Sequence, residues 1–166
     1  MNRMKLLATV LCACALTMGV LTGCTTTTTS TVTEEQALNR AYMSSVNQIM
    51  EDLDEQLESF VDAVSRNDVV AMQTQADAAF DILDELADLT VPEGLEEIHE
   101  CYLAGAELLE QALDAYVDLY VEIDSASSDD DFDWSAYEDR LAEIQALYDE
   151  GVAQLEAGDE IAASLE

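Results

Sequence analysis

Residues 38–86 read LNRAYMSSVNQIMEDLDEQLESFVDAVSRNDVVAMQTQADAAFDILDEL, and the spacing of their apolar positions decides the fold. Leu38, Tyr42, Val46, Ile49, Leu53, Leu57, Phe60 and Val64 follow one another at steps of four and three, which lines them along one stripe of a helix with charge on the other faces. Ser65-Arg66-Asn67-Asp68 breaks the pattern with turn and capping residues, and a second stripe resumes through Val69, Met72, Ala76, Phe80, Leu83 and Leu86. Two helices joined by so short a break fold back on each other.

Toward the C-terminus the same period returns twice. Thr90-Val91-Pro92-Glu93 places a proline where a first helical turn tolerates it, and Thr90 with Glu93 has the spacing of a capping box. A third stripe follows: Leu95, Ile98, Tyr102, Ala106, Leu109, Leu113, Tyr116, Tyr120 and Ile123. The stretch from Ser125 to Asp133 has no period and reads as a loop. Ser135 with Glu138 opens a fourth helix, with Tyr137, Leu141, Ile144, Tyr148, Val152, Leu155, Ala162 and Leu165 as its stripe. Upstream, Thr33 with Gln36 gives the first helix its capping box. With no strand-like alternation anywhere, the sequence predicts an all-α protein, an antiparallel up-down four-helix bundle over 34–166 with helices at about 34–65, 68–89, 92–124 and 134–165.

The unequal lengths carry an expectation of their own. At 1.5 Å per residue the second helix is about 33 Å long against about 50 Å for the others. Helix 1 is therefore expected to overhang near residues 33–44, and the hairpin of helices 3 and 4 to overshoot at the opposite end. Completion of such uneven faces by a second copy of the chain, a homodimer, stays open at this point.

The N-terminus has a different grammar. Arg3 and Lys5 precede an apolar run from Leu6 to Val20, too short to span a bilayer comfortably, and the run ends in Leu21-Thr22-Gly23-Cys24. An apolar residue, two small residues and a cysteine behind such a run resemble the lipobox of bacterial prolipoproteins. The resemblance covers residues 1–24. It implies a signal peptide over 1–23, cleavage on the amino side of Cys24, and a diacylglycerol thioether with further acylation, such as palmitate, on that cysteine. Two or three chains make a stable anchor where one holds only marginally, so the implied localisation is a cell membrane, lipid-anchored, on its extracytoplasmic face. Thr25 to Thr33, almost all threonine, then reads as an extended tether between the anchor at 24 and the bundle. Cys12 and Cys14 would leave with the signal and Cys24 would be blocked, which leaves Cys101 without an intrachain disulfide partner.

Charge narrows the choice of partners. The formal net charge is −32, and loss of residues 1–23 would remove two basic residues and no acidic ones, leaving three arginines against 37 carboxylates. Such a surface repels nucleic acid and anionic headgroups, so a cationic ligand or a protein partner met through apolar contact is expected instead. Self-repulsion of this size is also expected to be relieved by salt or mild acid.

Several residue sets have the composition of a site. Tyr116, Tyr120, Phe132, Trp134 and Tyr137 gather at the tip of the third and fourth helices beside Asp129-Asp130-Asp131, and rings next to carboxylates suit an organic cation as well as a plain aromatic plug. Asp129, Asp131 and Asp133 have the alternate spacing of a calcium loop, but Trp134 and Arg140 stand where its glycine and bidentate glutamate belong. Glu96 and His99 form half of a di-iron ligand set whose other half needs a second histidine, and the chain has one. His99 and Cys101, two apart on a helix, point away from each other and make no zinc pair. Reflection of the helices about their turns puts Met50 level with His99, as a haem-binding bundle would need, and Ala76, Ala78 and Ala79 level with Ala104, Gly105, Ala106 and Gly151. Cys101 is flanked by Glu97 and Glu100, whose charge opposes thiolate formation. No phosphate loop, nucleophile elbow or serine–histidine spacing is present. The expectation is a non-enzymatic binding or interaction module without a cofactor, with a haem or metal carrier as the alternative.

Overall fold

In the computed structural model residues 33–126 and 133–165 are described, and within them the chain is four α-helices: α1 (Glu34–Arg66), α2 (Val69–Ala87), α3 (Glu96–Ser125) and α4 (Trp134–Ser164). The protein is an all-α, antiparallel four-helix bundle, as the apolar periods predict. Cys24, the threonine tract, Phe132 and the run Asp129-Asp130-Asp131 lie outside the described residues.

The helix ends show why the breaks fall where they do. Thr33 caps α1 with a capping box: its hydroxyl accepts from the Gln36 amide at 3.2 Å, and the Gln36 side chain accepts from the Thr33 amide at 3.2 Å. Asn67 ends α1 in the left-handed region at φ 54°, a conformation its short amide tolerates, and the next residue, Asp68, already caps α2 by accepting from Ala71 N–H at 3.0 Å. One residue closes a helix and its neighbour opens the next, so the reversal is tight.

The α2 to α3 connection departs from expectation. Pro92 and Glu93 do not begin α3 and no Thr90 capping box forms; Leu95 N–H instead donates to the Pro92 carbonyl, Gly94 takes φ 91°, and Gly94 N–H donates to the Glu96 carboxylate at 2.8 Å. Only glycine adopts that φ without strain, so the turn is settled at Gly94 and the helix starts two residues later. Leu95, buried, anchors the turn in the core. Similarly, α4 begins at Trp134, which puts Ser135 inside the first turn rather than at its cap.

Buried apolar residues from all four helices form one core, from Tyr42 and Ile98 at one end to Tyr116 and Tyr120 at the other. No buried charged or polar residue interrupts it among the described residues. α3 is the central element, with eleven buried residues, and its backbone closely approaches both α2 and α4. α1 and α4, by contrast, have no close backbone approach. Half-buried Leu141, Ile144, Tyr148 and Val152 of α4 pack on the core there without being sealed by it.

Side-chain contacts fix the register. Tyr42 meets His99 and Phe60 meets Tyr116, so α1 and α3 run parallel with an offset of 56 to 57 residues. Gln56 donates to Gln75 at 2.6 Å, setting α1 against α2. The expected overhang of α1 is shorter than 33–44, because Tyr42 is already buried against α3; only the stretch to residue 41, with Leu38 56% exposed, runs past the core. At the far end Arg66 comes level with about Glu122, so α3 projects by about one turn. Leu38 and Leu165, both assigned to core stripes by their spacing, are exposed at the same end of the bundle.

Candidate functional site

The end of the bundle far from Thr33 is built of rings. Tyr116 and Tyr120 lie one turn apart on α3, so their rings share a face and stack at 5.3 Å with 28° between planes. Phe60 of α1 meets Tyr116 edge-on at 5.8 Å, and Trp134 at the start of α4 leans on Tyr137 at 5.7 Å. Each pair has the offset or edge geometry that ring quadrupoles favour. The Arg140 guanidinium donates to Glu122 at 2.6 Å and ties α4 to α3 on the outside of this end.

Within the cluster two polar atoms stand out. Tyr116 and Tyr120 are 3% and 4% exposed, and neither hydroxyl has a hydrogen-bond partner. The two hydroxyls lie close enough to act on each other, with Tyr137 beside them, yet neither makes a hydrogen bond of good geometry. Burial pushes the Tyr116 and Tyr120 phenols up and holds Tyr137 at about 12, so all three are neutral at physiological pH. An unsatisfied buried hydroxyl costs about 1–3 kcal/mol, and a phenylalanine would fill the same space without it. Trp134, 39% exposed, is the outermost ring.

The opposite end contains a second constellation, and its tyrosines are partnered. The Tyr42 hydroxyl of α1 lies 3.1 Å from Nδ1 of His99 on α3, and the Tyr102 hydroxyl donates to Asp159 of α4 at 2.7 Å. Burial holds Tyr42 at about 12 and His99 below its ordinary value, the latter opposed in part by Glu100, so both rings are neutral at neutral pH. With the phenol donating, Nδ1 accepts and the ring proton sits on Nε2. Gly158 lets α4 sit against the Tyr102 ring: a Cβ there would come within 2.9 Å of it. Asn39, one turn before Tyr42, adds a buried side-chain oxygen without a partner. The sequence signalled none of these ties, since each depends on the register between helices.

Of the residues singled out from sequence, Tyr116, Tyr120, Trp134 and Tyr137 do come together, with Phe60 as a member the stripes had assigned only to core. Phe132 lies outside the described residues. The alignment of Met50 with His99 is overturned: His99 meets Tyr42, eight residues before Met50, about 12 Å along the helix. Residues 88–95 cross between helices rather than extend either, which shifts all of α3 by two turns. For the same reason Ala76 comes level with Ala112 rather than with Gly105. Gly105 and Gly151 do meet, as the small-residue layer predicts: a Cβ on Gly105 would lie 2.9 Å from the Gly151 carbonyl oxygen and 2.6 Å from Leu155 Cδ2. Cys101 is half-buried and free. Among the described residues no group of three or more His, Cys, Asp or Glu side chains is placed to hold a metal ion, and no helix is long and apolar enough to cross a membrane. No protein-family model, curated protein or solved structure matches the chain.

Proposed function

We propose that this protein is a membrane-anchored lipoprotein of the bacterial cell envelope whose bundle is a non-enzymatic binding module, engaging its ligand or partner through the aromatic end far from the tether. The observation that carries the reading is the pair of buried, unpartnered hydroxyls of Tyr116 and Tyr120 beneath Tyr137 and Trp134. Support for the anchor comes from Leu21-Thr22-Gly23-Cys24 behind its apolar run. Since α1 starts at Glu34, directly after the threonine tract, the aromatic cluster stands one bundle length, about 50 Å, from the tethered end. A body this acidic is repelled by an anionic membrane, which favours a module that faces outward.

Two measurements test the two halves of the reading. Metabolic labelling with palmitate should mark the wild type and not Cys24→Ala, and the variant should leave the membrane fraction; equal labelling of both removes the anchor. Native mass spectrometry of the protein purified from cells grown in complex medium should reveal a bound mass that Trp134→Ala loses. A wild type that carries nothing and captures nothing from its medium removes the binding module.

A further inference from the structure

We propose that the Tyr116 and Tyr120 hydroxyls are the polar floor of a site for primary alkylammonium ligands at the aromatic end, with Tyr137 and Trp134 as its outer wall. The inference rests on the binding reading above and narrows it to a ligand class.

Neither hydroxyl is matched by the protein, although both tyrosines are more than nine-tenths buried, so the fold leaves hydrogen-bonding capacity unused in a low-dielectric place. A neutral phenol can give or accept one hydrogen bond, so an anion and an ammonium are both candidates on hydrogen bonding alone. Charge separates them. The chain carries a net −32, and the two arginines at this end are already engaged, Arg140 with Glu122 and Arg66 with Asp62. An anion would enter a field that repels it, whereas a cation is drawn in by the field and by the ring faces of Tyr137 and Trp134. A quaternary ammonium satisfies the rings but offers nothing to the hydroxyls. An ammonium with N–H bonds donates to the hydroxyl oxygens and meets the rings as well, and an alkyl chain suits the surrounding rings.

The test uses the protein extracted in non-ionic detergent, with 1,4-diaminobutane, tetramethylammonium and sodium chloride as probes at matched ionic strength. Diaminobutane should raise the melting temperature above the sodium chloride control and give a 1:1 adduct in native mass spectrometry; tetramethylammonium should not exceed the control. Tyr116→Phe/Tyr120→Phe should melt higher than wild type without ligand and bind diaminobutane at least about tenfold more weakly. Tyr42→Phe, at the opposite end, should keep the full diaminobutane shift. The proposal is overturned if diaminobutane acts no better than salt, if tetramethylammonium matches it, or if the double variant keeps the shift. A double variant that only melts higher, in a protein that shows no adduct, assigns the hydroxyls to a bridging water and overturns the proposal equally. Should the double variant fail to fold, Tyr120→Phe alone and Trp134→Ala carry the same comparison. A captured natural ligand without an amine removes the ligand class and leaves the binding module standing; loss of every bound mass removes both.

Discussion

The two ends of the bundle use the same residue differently. Near the Thr33 end Tyr42 and Tyr102 reach across helices and find His99 and Asp159; at the far end the Tyr116 and Tyr120 hydroxyls are buried as deeply and have no well-formed hydrogen bond. A buried phenol that is matched ties helices together, and its polar atom adds a small net stabilisation. A buried phenol hydroxyl that is unmatched costs about 1–3 kcal/mol, although its ring still packs. The contrast is one between phenols alone, since the Thr33 end also holds an unpartnered buried oxygen on Asn39. Ring packing holds the far end: Phe60, fully buried, inserts from α1 against Tyr116 and joins the first helix to the third where their backbones stay apart.

The comparison breaks most readily at Phe60. Phe60→Ala should cost about 3–5 kcal/mol in denaturant unfolding, through lost burial and the cavity left under Tyr116. A loss below about 1 kcal/mol would mean that ring packing does not hold the far end. Gly105→Ala probes the seam midway between the ends. Alanine gains about 1 kcal/mol of helix propensity, but its Cβ meets the Gly151 carbonyl oxygen, which a side-chain rotation cannot move aside, and overpacking costs about 1–3 kcal/mol. The net expectation is a destabilisation of about 1 kcal/mol; a stabilised variant would show that α3 and α4 have room to separate. The smallest effect is expected at the Thr33 end. Because burial places the folded-state pKa of His99 below the unfolded value of about 6.5, the unfolded chain binds the proton more readily. Stability should therefore fall as pH drops through about 6.5, and the loss should be complete once the pH lies below the depressed folded value. His99→Gln should flatten the melting temperature across that window, and a wild type as flat as the variant would detach His99 from the tie. In the carboxylate range the trend should reverse. Glu110, pushed up by burial and by Asp84 and Glu107, is held more favourably when protonated in the fold than in the unfolded chain, so acid relieves it.

The architecture was readable because its signals are local. Apolar steps of three and four name the helices, Thr33 with Gln36 names the first cap, and Asn67-Asp68 names the tightest turn; each needs only neighbours in sequence. The Gly105 and Gly151 seam was legible too, since small residues on facing stripes permit close approach. Register was not. It depended on whether residues 88–95 lengthen a helix or cross between two, and that was decided by one glycine at positive φ, which the Thr90 and Glu93 spacing obscured. From that single turn follow the misplaced Met50–His99 pair and the unforeseen Tyr42–His99 tie. The aromatic end survived the error because its members on the third and fourth helices are close in sequence.

Within the described residues, every close backbone approach joins helices that are consecutive along the chain: α1 with α2, α2 with α3, α3 with α4. Most of the structure can thus form from contacts of short sequence separation, with little chain entropy spent on closing long loops. Folding of this bundle belongs in the microsecond-to-millisecond range of helical proteins. A chain exported as proposed above would then spend very little time with its apolar stripes exposed.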